Sequence, residues 1–322
     1  MDDGFIEVEG LEKVFQVRRK SGTFRRTKQE VRAVDGISFS VPRGEMVGYI
    51  GPNGAGKSTT IKMLTGILTP SGGRLRVAGI DPSRERTRLV RRIGVVFGQR
   101  TTLWWDLPLR DSFDLVRRMY RVPEPRYREN LERCVELLEL DELLDAPVRQ
   151  LSLGQRMRGD ITAALLHDPD VLYLDEPTIG LDVISKARVR EFLSGLNAEK
   201  GTTVLLTTHD LTDIEQLCKR VMVIDHGRLM YDGALAGLHE VGESERTLVV
   251  DLERELPPIE GVSGARTVRT EGPRQWLAFP ASASAAPIVS QVADGYPLVD
   301  LSVREPDIED VIARMYAEGA TG

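Results

Sequence analysis

Long apolar runs are missing from this chain: no stretch of its 322 residues approaches the roughly 18 apolar residues that a membrane-spanning helix requires. No charged start leads into an apolar segment either, so no secretory signal is expected and the chain should stay in the cytosol. Cysteine is scarce. The two thiols, Cys134 and Cys218, lie in helix-like apolar segments without CxxC spacing, and are expected to be buried thiols and not a disulfide or a metal pair. A basic excess is lacking as well: 43 Lys and Arg against 49 Asp and Glu leave a formal charge of −6, which argues against nucleic acid as the default partner. Internal repeats are absent, and the longest low-complexity stretch is the Ala/Ser run at residues 281–286. What remains, 41% hydrophobic and 29% charged residues, is the composition of a globular chain long enough for two domains.

The charge is unevenly spread. From residue 238 to the end, seven basic residues face fifteen acidic ones, a local charge of −8, and the remainder is nearly neutral. That shift suggests a boundary, with one domain over residues 1–237 and a second over 238–322. The opposite bias occupies residues 18–32, where Arg18, Arg19, Lys20, Arg25, Arg26, Lys28 and Arg32 accompany few apolar residues. Two readings stay open: a solvated loop or hairpin insertion, or a contact with anionic lipid headgroups or a membrane partner's acidic surface. Each basic residue near a bilayer contributes on the order of 1 kcal/mol.

Short runs that are apolar on both alternating faces, at residues 46–50, 171–174, 203–207 and 221–224, predict strands buried on both sides of a mainly parallel sheet. Helical patterns separate them, so the fold class is α/β. Asp225-His226-Gly227 predicts the turn of a late hairpin over residues 221–231.

Chemistry concentrates at a few places. Gly51-Pro52-Asn53-Gly54-Ala55-Gly56-Lys57-Ser58-Thr59 matches G-x-x-x-x-G-K-[ST] and follows the strand ending at Ile50. Its glycines let backbone N–H groups curl round a phosphate, and a helix predicted over residues 57–68 aims its positive end at the same anion. Lys57 would hold the β- and γ-phosphates of ATP, and Ser58 would ligate Mg²⁺. The run Val171-Leu-Tyr-Leu-Asp175-Glu176-Pro177 ends a strand in two carboxylates: Asp175 suits the Mg²⁺ shell, and Glu176 sits where a base could polarise an attacking water. Between the two motifs, Leu151-Ser152-Leu153-Gly154-Gln155-Arg156 opens a helix. Ser152 and Gln155 have the form of a capping box, which by itself accounts for both residues.

Taken with the phosphate loop, the Asp175-Glu176 pair and His209 after a strand, that segment resembles the signature motif of ABC-type ATPases in its Leu-Ser-x-Gly-Gln form. The likeness covers residues 5–237. It implies an ABC-type P-loop ATPase domain, a mainly parallel sheet with a helical lobe, followed by a small C-terminal α/β domain. In that family two ATPase subunits face each other head to tail, each ATP lying between one subunit's phosphate loop and the other's signature helix. The resemblance therefore implies a dimer, either a homodimer or a heterodimer with a second, similar chain, in which Ser152, Gly154 and Gln155 serve the partner's nucleotide. It further implies that Gln99 approaches Mg²⁺ and the lytic water, that Asp182 in Ile179-Gly-Leu-Asp182 belongs to the D-loop, that His209 contacts the γ-phosphate, and that Phe15 stacks on adenine. Leu153 departs from the glycine common at its position, and is expected to alter packing at the helix start without abolishing hydrolysis.

A narrower likeness is to ATPase subunits of ABC-2-type exporters, carried by Thr60-Ile-Lys-Met-Leu-Thr-Gly-Ile-Leu68, by Phe97-Gly-Gln-Arg leading into Leu103-Trp-Trp-Asp-Leu-Pro108, and by Gly159-Asp-Ile-Thr-Ala-Ala-Leu-Leu166 after the signature. It implies separate integral-membrane permease subunits and a peripheral place on the cytoplasmic face of the membrane. The alternative is an importer ATPase with a regulatory tail. Trp104 and Trp105 cannot both enter one helix stripe or strand face, so at least one is expected at an interface, in a groove for the permease or against the helical lobe. The tail predicts strands near residues 247–252, 265–270, 275–279 and 298–303, a helix near 284–293, and a final helix. Glu305, Pro306 and Asp307 start that last helix, with Ile308, Val311, Ile312, Met315 and Tyr316 on one apolar face.

Overall fold

The computed structural model describes residues 4–21, 25–98, 100–238, 245–304, 311–312 and 315–316, with residues 18–21 and 25–28 described by their backbone. Gln99 and the predicted helix start at Glu305, Pro306, Asp307 and Ile308 lie outside the described residues. The chain divides into two compact units, Met1–Asp232 and Gly233–Gly322.

Alternating apolar residues build the first layer of the larger unit. Ile6, Val8 and Leu11 from β1 (Ile6–Ser21) and Val34, Ile37, Phe39 and Val41 from β2 (Arg25–Val41) enter one core. The next strands are β3 (Met46–Ile50) and β4 (Gly72–Val77). An antiparallel sheet runs β2-β1-β4. β4 pairs with β1 only from Ile6 to Glu12, whereas the β1–β2 register continues to Ser21↔Arg25. Residues 18–21 and 25–32 of the basic segment thus pair as the two strands of a hairpin, with Arg18 opposite Lys28 and Lys20 opposite Arg26.

The second layer is a six-stranded sheet of β3 with β5 (Ile93–Phe97), β6 (Val171–Asp175), β7 (Thr203–Thr207), β8 (Arg220–Asp225) and β9 (Arg228–Ala234), in the order β5-β6-β7-β3-β8-β9. Its pairs from β5 through β8 are parallel. β3 and β7 are buried at every residue, as their unbroken apolar patterns predict.

Helices α1 (Lys57–Leu64), α2 (Arg86–Val90), α3 (Leu109–Tyr120), α4 (Glu124–Leu137), α5 (Leu153–Leu165), α6 (Val183–Lys200) and α7 (Leu211–Leu217) complete this unit, with α3 and α4 packing on α5 as a helical lobe. α1 is shorter than predicted. The chain reverses through Gly66 at φ 71°, and the Leu68 N–H returns to the Lys62 carbonyl at 2.8 Å, so residues 65–68 cap the helix instead of extending it.

In the smaller unit, α8 (Leu235–Leu238) precedes β10 (Glu245–Leu252), β11 (Arg266–Glu271), β12 (Arg274–Pro280), α9 (Ala285–Gly295) and β13 (Leu298–Arg304). The sheet order is β11-β12-β10-β13, and Leu248, Val250, Leu277, Phe279, Ile288 and Val292 share its core. Residues 311–312 and 315–316 are helical, and Val311, Ile312 and Met315 are buried, as the predicted apolar face requires.

Both cysteines are free and buried. Burial pushes the Cys134 thiol up to about 11 and the Cys218 thiol to about 12. Since the thiolate is the reactive form, neither should react with a thiol-titrating reagent at neutral pH in the native protein. Both should react once the chain is denatured; rapid release of colour from native protein would contradict this burial.

Candidate active site at the carboxyl edge of the parallel sheet

The phosphate loop leaves the sheet at Ile50 and enters α1. Its backbone is set by close approach: Gly56 has φ 111°, and a Cβ there would run into the Ala33 carbonyl oxygen of β2. Only glycine meets both conditions. Ala55 is buried, its N–H donating to the Pro52 carbonyl at 3.1 Å and its carbonyl accepting from Gly227 at 2.9 Å, while Asn53 and Gly54 are exposed at the rim. Lys57, 9% exposed, donates to the carbonyls of Gly51 at 2.5 Å and Pro52 at 3.1 Å. Burial lowers its ammonium below the usual lysine range, against the upward pull of the Glu176 and Asp175 carboxylates. Thr59 is half-buried one residue beyond Ser58.

The strand register brings the next groups in. β6 and β7 place Asp175 opposite Thr207. Asp175 accepts from Ser58 Oγ at 3.1 Å and from Thr207 Oγ1 at 2.6 Å, so one carboxylate joins α1, β6 and β7. Glu176 has φ 58°, an uncommon left-handed conformation for a non-glycine residue, held by its N–H bond to the Thr207 carbonyl at 2.9 Å. Its Oε2 lies 2.6 Å from His209 Nδ1 and accepts from the His209 N–H at 3.3 Å. Behind these groups, fully buried Asp213 binds Arg190, Thr178 and Thr208, tying the loop after Glu176 to the start of α7.

Two of these contributors are not evident from the motifs. Thr207 would be found by laying the two predicted strands side by side. Gly98, just before Gln99, donates to the Asp175 carbonyl at 2.6 Å, and a Cβ at Gly98 would collide with the Glu176 carbonyl oxygen. Its smallness lets the end of β5 close on the acidic pair.

Phe15 lies on the β1–β2 hairpin opposite Val31, half-buried, with the Lys13 ammonium 5.2 Å from its ring centroid. The signature segment stands apart. Ser152 caps α5 in a full capping box, its Oγ accepting from the Gln155 N–H at 3.2 Å and its N–H donating to Gln155 Oε1 at 2.8 Å. Among the described residues, no hydrogen bond or ion pair joins Ser152, Gly154 or Gln155 to the phosphate loop. Gly154 and Leu153 pack instead against residues 180–185: a Cβ at Gly154 would sit 3.1 Å from Ser185 Oγ, and Leu153 fills the space beside Gly180. Asp182 caps α6 through Ser185, whose N–H and hydroxyl hold its carboxyl below the ordinary aspartate range.

A groove of about 270 Å³ opens between the sheet and the helical lobe, with Ile67, Phe97, Trp104, Met119, Tyr120 and His167 among its walls. Trp104 is 37% exposed and Trp105 50% exposed. Trp104 lines this groove, and Trp105 lies under the Arg156 guanidinium of α5, 5.4 Å from its ring centroid.

Fold and site together define an ATP-binding-cassette ATPase. The family model described as ABC transporter matches residues 34–179. The chain is 39% identical over 239 residues to the Nod factor export ATP-binding protein I of Ralstonia nicotianae, covering 74% of this chain and 70% of that protein. It is 33% identical over 326 residues to the daunorubicin resistance ATP-binding protein DrrA3 of Streptomyces coeruleorubidus, covering 98% and 96%. Among solved structures, the ATP-binding cassette MJ0796, a dimer in a post-hydrolysis state with ADP and Pi, matches at a TM-score of 0.63 and 25% identity, over 71% of this chain and 98% of that one. The chain belongs to the ATP-binding subunits of ABC transporters, in the group that resembles the ABC-2-type exporter ATPases.

Proposed function

We propose that this chain drives export through a separate membrane permease, two copies closing on two ATP molecules and reopening after hydrolysis. One observation carries the reading: Ser58 at the start of α1, Asp175 at the end of β6, and Glu176 paired with His209 form one connected cluster beside Lys57. Lys57 and loop N–H groups at Gly54 and residues 56–59 bind the phosphates, Phe15 stacks on the base, and Glu176 takes the proton of the water that attacks the γ-phosphorus. His209 orients Glu176 and the γ-phosphate.

Mg²⁺, which would neutralise charge on the β- and γ-oxygens, suits the adjacent hard oxygens of Ser58 and Asp175, with Gln99 as the further residue assigned to it. Among the described residues no cluster of three His, Cys, Asp or Glu side chains forms a ready cage. A divalent ion here would take its remaining ligands from the nucleotide's phosphate oxygens and water.

The separation of Ser152, Gly154 and Gln155 from their own phosphate loop supports a composite site, completed by a second copy together with Asp182 of the D-loop. Export is supported by the names of the Nod factor and daunorubicin relatives, the latter matched along almost the whole chain, tail included. We assign residues 1–237 to the ATPase domain and 238–322 to an accessory unit that stabilises the dimer. Among the described residues no helix is long and apolar enough to cross a membrane, consistent with a permease encoded separately and a peripheral place on the cytoplasmic face.

The tagged chain, recovered from its own membranes, should bring an integral-membrane partner with it, and the purified chain should release phosphate from Mg-ATP. Trp104→Ala should reduce recovery of that partner more than Trp105→Ala does, because Trp104 is the one in the groove. Equal, undiminished recovery with both variants would reject the groove as the docking site. Absence of both a membrane partner and ATP turnover would reject the proposed function.

A further inference from the structure

The segment that follows Gln99 is fastened to the signature helix by one buried side chain. Asp160 lies on α5 eight residues beyond Ser152, about 12 Å along the helix axis. It is 4% exposed, and its Oδ1 accepts three hydrogen bonds: from Thr101 Oγ1 at 3.1 Å, from the Thr102 N–H at 2.8 Å and from Thr102 Oγ1 at 2.9 Å. The residue before it prepares the approach. A Cβ at Gly159 would stand 3.0 Å from Leu103 Cδ1 and 3.0 Å from Leu109 Cδ1, so glycine lets the chain from Leu103 to Leu109 lie against α5. A hydrogen bond between Trp104 N–H and Ser112 Oγ at 3.3 Å continues the fastening into α3.

We infer that Asp160 is a positioning residue that locks the Thr101–Thr102 segment to α5, so that the groove wall at Trp104 and the Ser152 end of α5 move as one body. Without the three bonds the segment could slip on α5 while the signature end moved with nucleotide. With them, a displacement at Ser152 arrives at Trp104 undiminished. Burying a carboxylate is costly unless its acceptors are used, and Thr101 and Thr102 supply its hydrogen bonds, with the Arg156 guanidinium of α5 adding a favourable charge. This inference rests on the nucleotide-driven closure proposed above.

The tryptophans provide the test. Of the three in the chain, Trp104 and Trp105 lie just beyond the fastened Thr101–Thr102 segment, and Trp276→Phe leaves them as the only tryptophans. In that background Mg-ATP should shift the emission. Asp160→Ala should abolish the shift while ATP affinity, measured separately with a fluorescent nucleotide, stays at its starting value. Asp160→Asn, whose amide oxygen can accept the same three bonds, should restore it. If Asp160→Ala does not fold, Thr102→Val carries the test from the other side, and a weakened shift is expected. The inference is overturned if Asp160→Ala or Thr102→Val keeps the full shift, if alanine and asparagine at 160 behave alike, or if the parent binds ATP without any shift. Loss of ATP binding by the parent itself would instead reject the closure reading.

Discussion

Glu176→Gln should bind ATP as the parent does, hydrolyse it about 10²-fold more slowly or worse, and accumulate as a closed dimer. General-base catalysis contributes roughly 10²- to 10⁴-fold, and the amide keeps the size of the side chain while losing its capacity to take a proton. The backbone should not respond, because the left-handed turn at φ 58° is held by the Glu176 N–H bond to Thr207, which the substitution does not touch. His209 can still be held by the amide oxygen in place of Oε2. ATP therefore stays bound with its phosphates engaged by both subunits, and the closed state persists because hydrolysis no longer removes its differential affinity. Phosphate release and gel filtration with Mg-ATP measure the two halves of this expectation. Turnover within a few-fold of the parent would remove Glu176 from the role of base.

Lys57→Ala acts one step earlier, on binding. Lys57 is 9% exposed and its ammonium is already partnered by the Gly51 and Pro52 carbonyls, so the loop holds it at the position where phosphate oxygens would arrive. A charged hydrogen bond of this kind contributes about 1.5–3 kcal/mol, so ATP affinity should fall by about tenfold to a hundredfold. Isothermal titration reads this directly. The variant should remain folded, since α1 is anchored through Ile61, Met63 and Leu64 in the core and not through residue 57. Unchanged affinity would count against the phosphate-loop assignment.

The legibility of the chain follows the locality of its chemistry. A phosphate cradle needs consecutive N–H groups, so Gly51 through Thr59 could be read as a string, and strands buried on both faces announce themselves by unbroken apolar runs such as Val171–Asp175. Helix ends were less legible: α1 stops at Leu64 because residues 65–68 fold back, a turn decided by backbone bonds that a periodic pattern does not encode. Least legible were groups joined across strands. Thr207, Gly98, Asp213 and Asp160 each look ordinary in their own segment, and acquire a part only when a neighbour from 5 to 78 residues away is brought alongside. Asp213 with Thr208 and Gly98 with Glu176 illustrate the range: the first contact is nearly local, and the second depends on the register Phe97↔Asp175.

The capping box at Ser152 carries a last consequence. Its two reciprocal bonds complete the start of α5 inside a single chain, before any second copy arrives. Ser152 spends an acceptor on Gln155 and retains its O–H as a donor, and Leu153 wedges the turn against Gly180. On the proposed reading, dimer closure then resembles the meeting of two finished surfaces more than the ordering of a loose one. The entropy of shaping the anion-binding end has been met during folding. Assembly speed should therefore be governed by encounter and orientation of the two copies, with no slow ordering step at the signature helix.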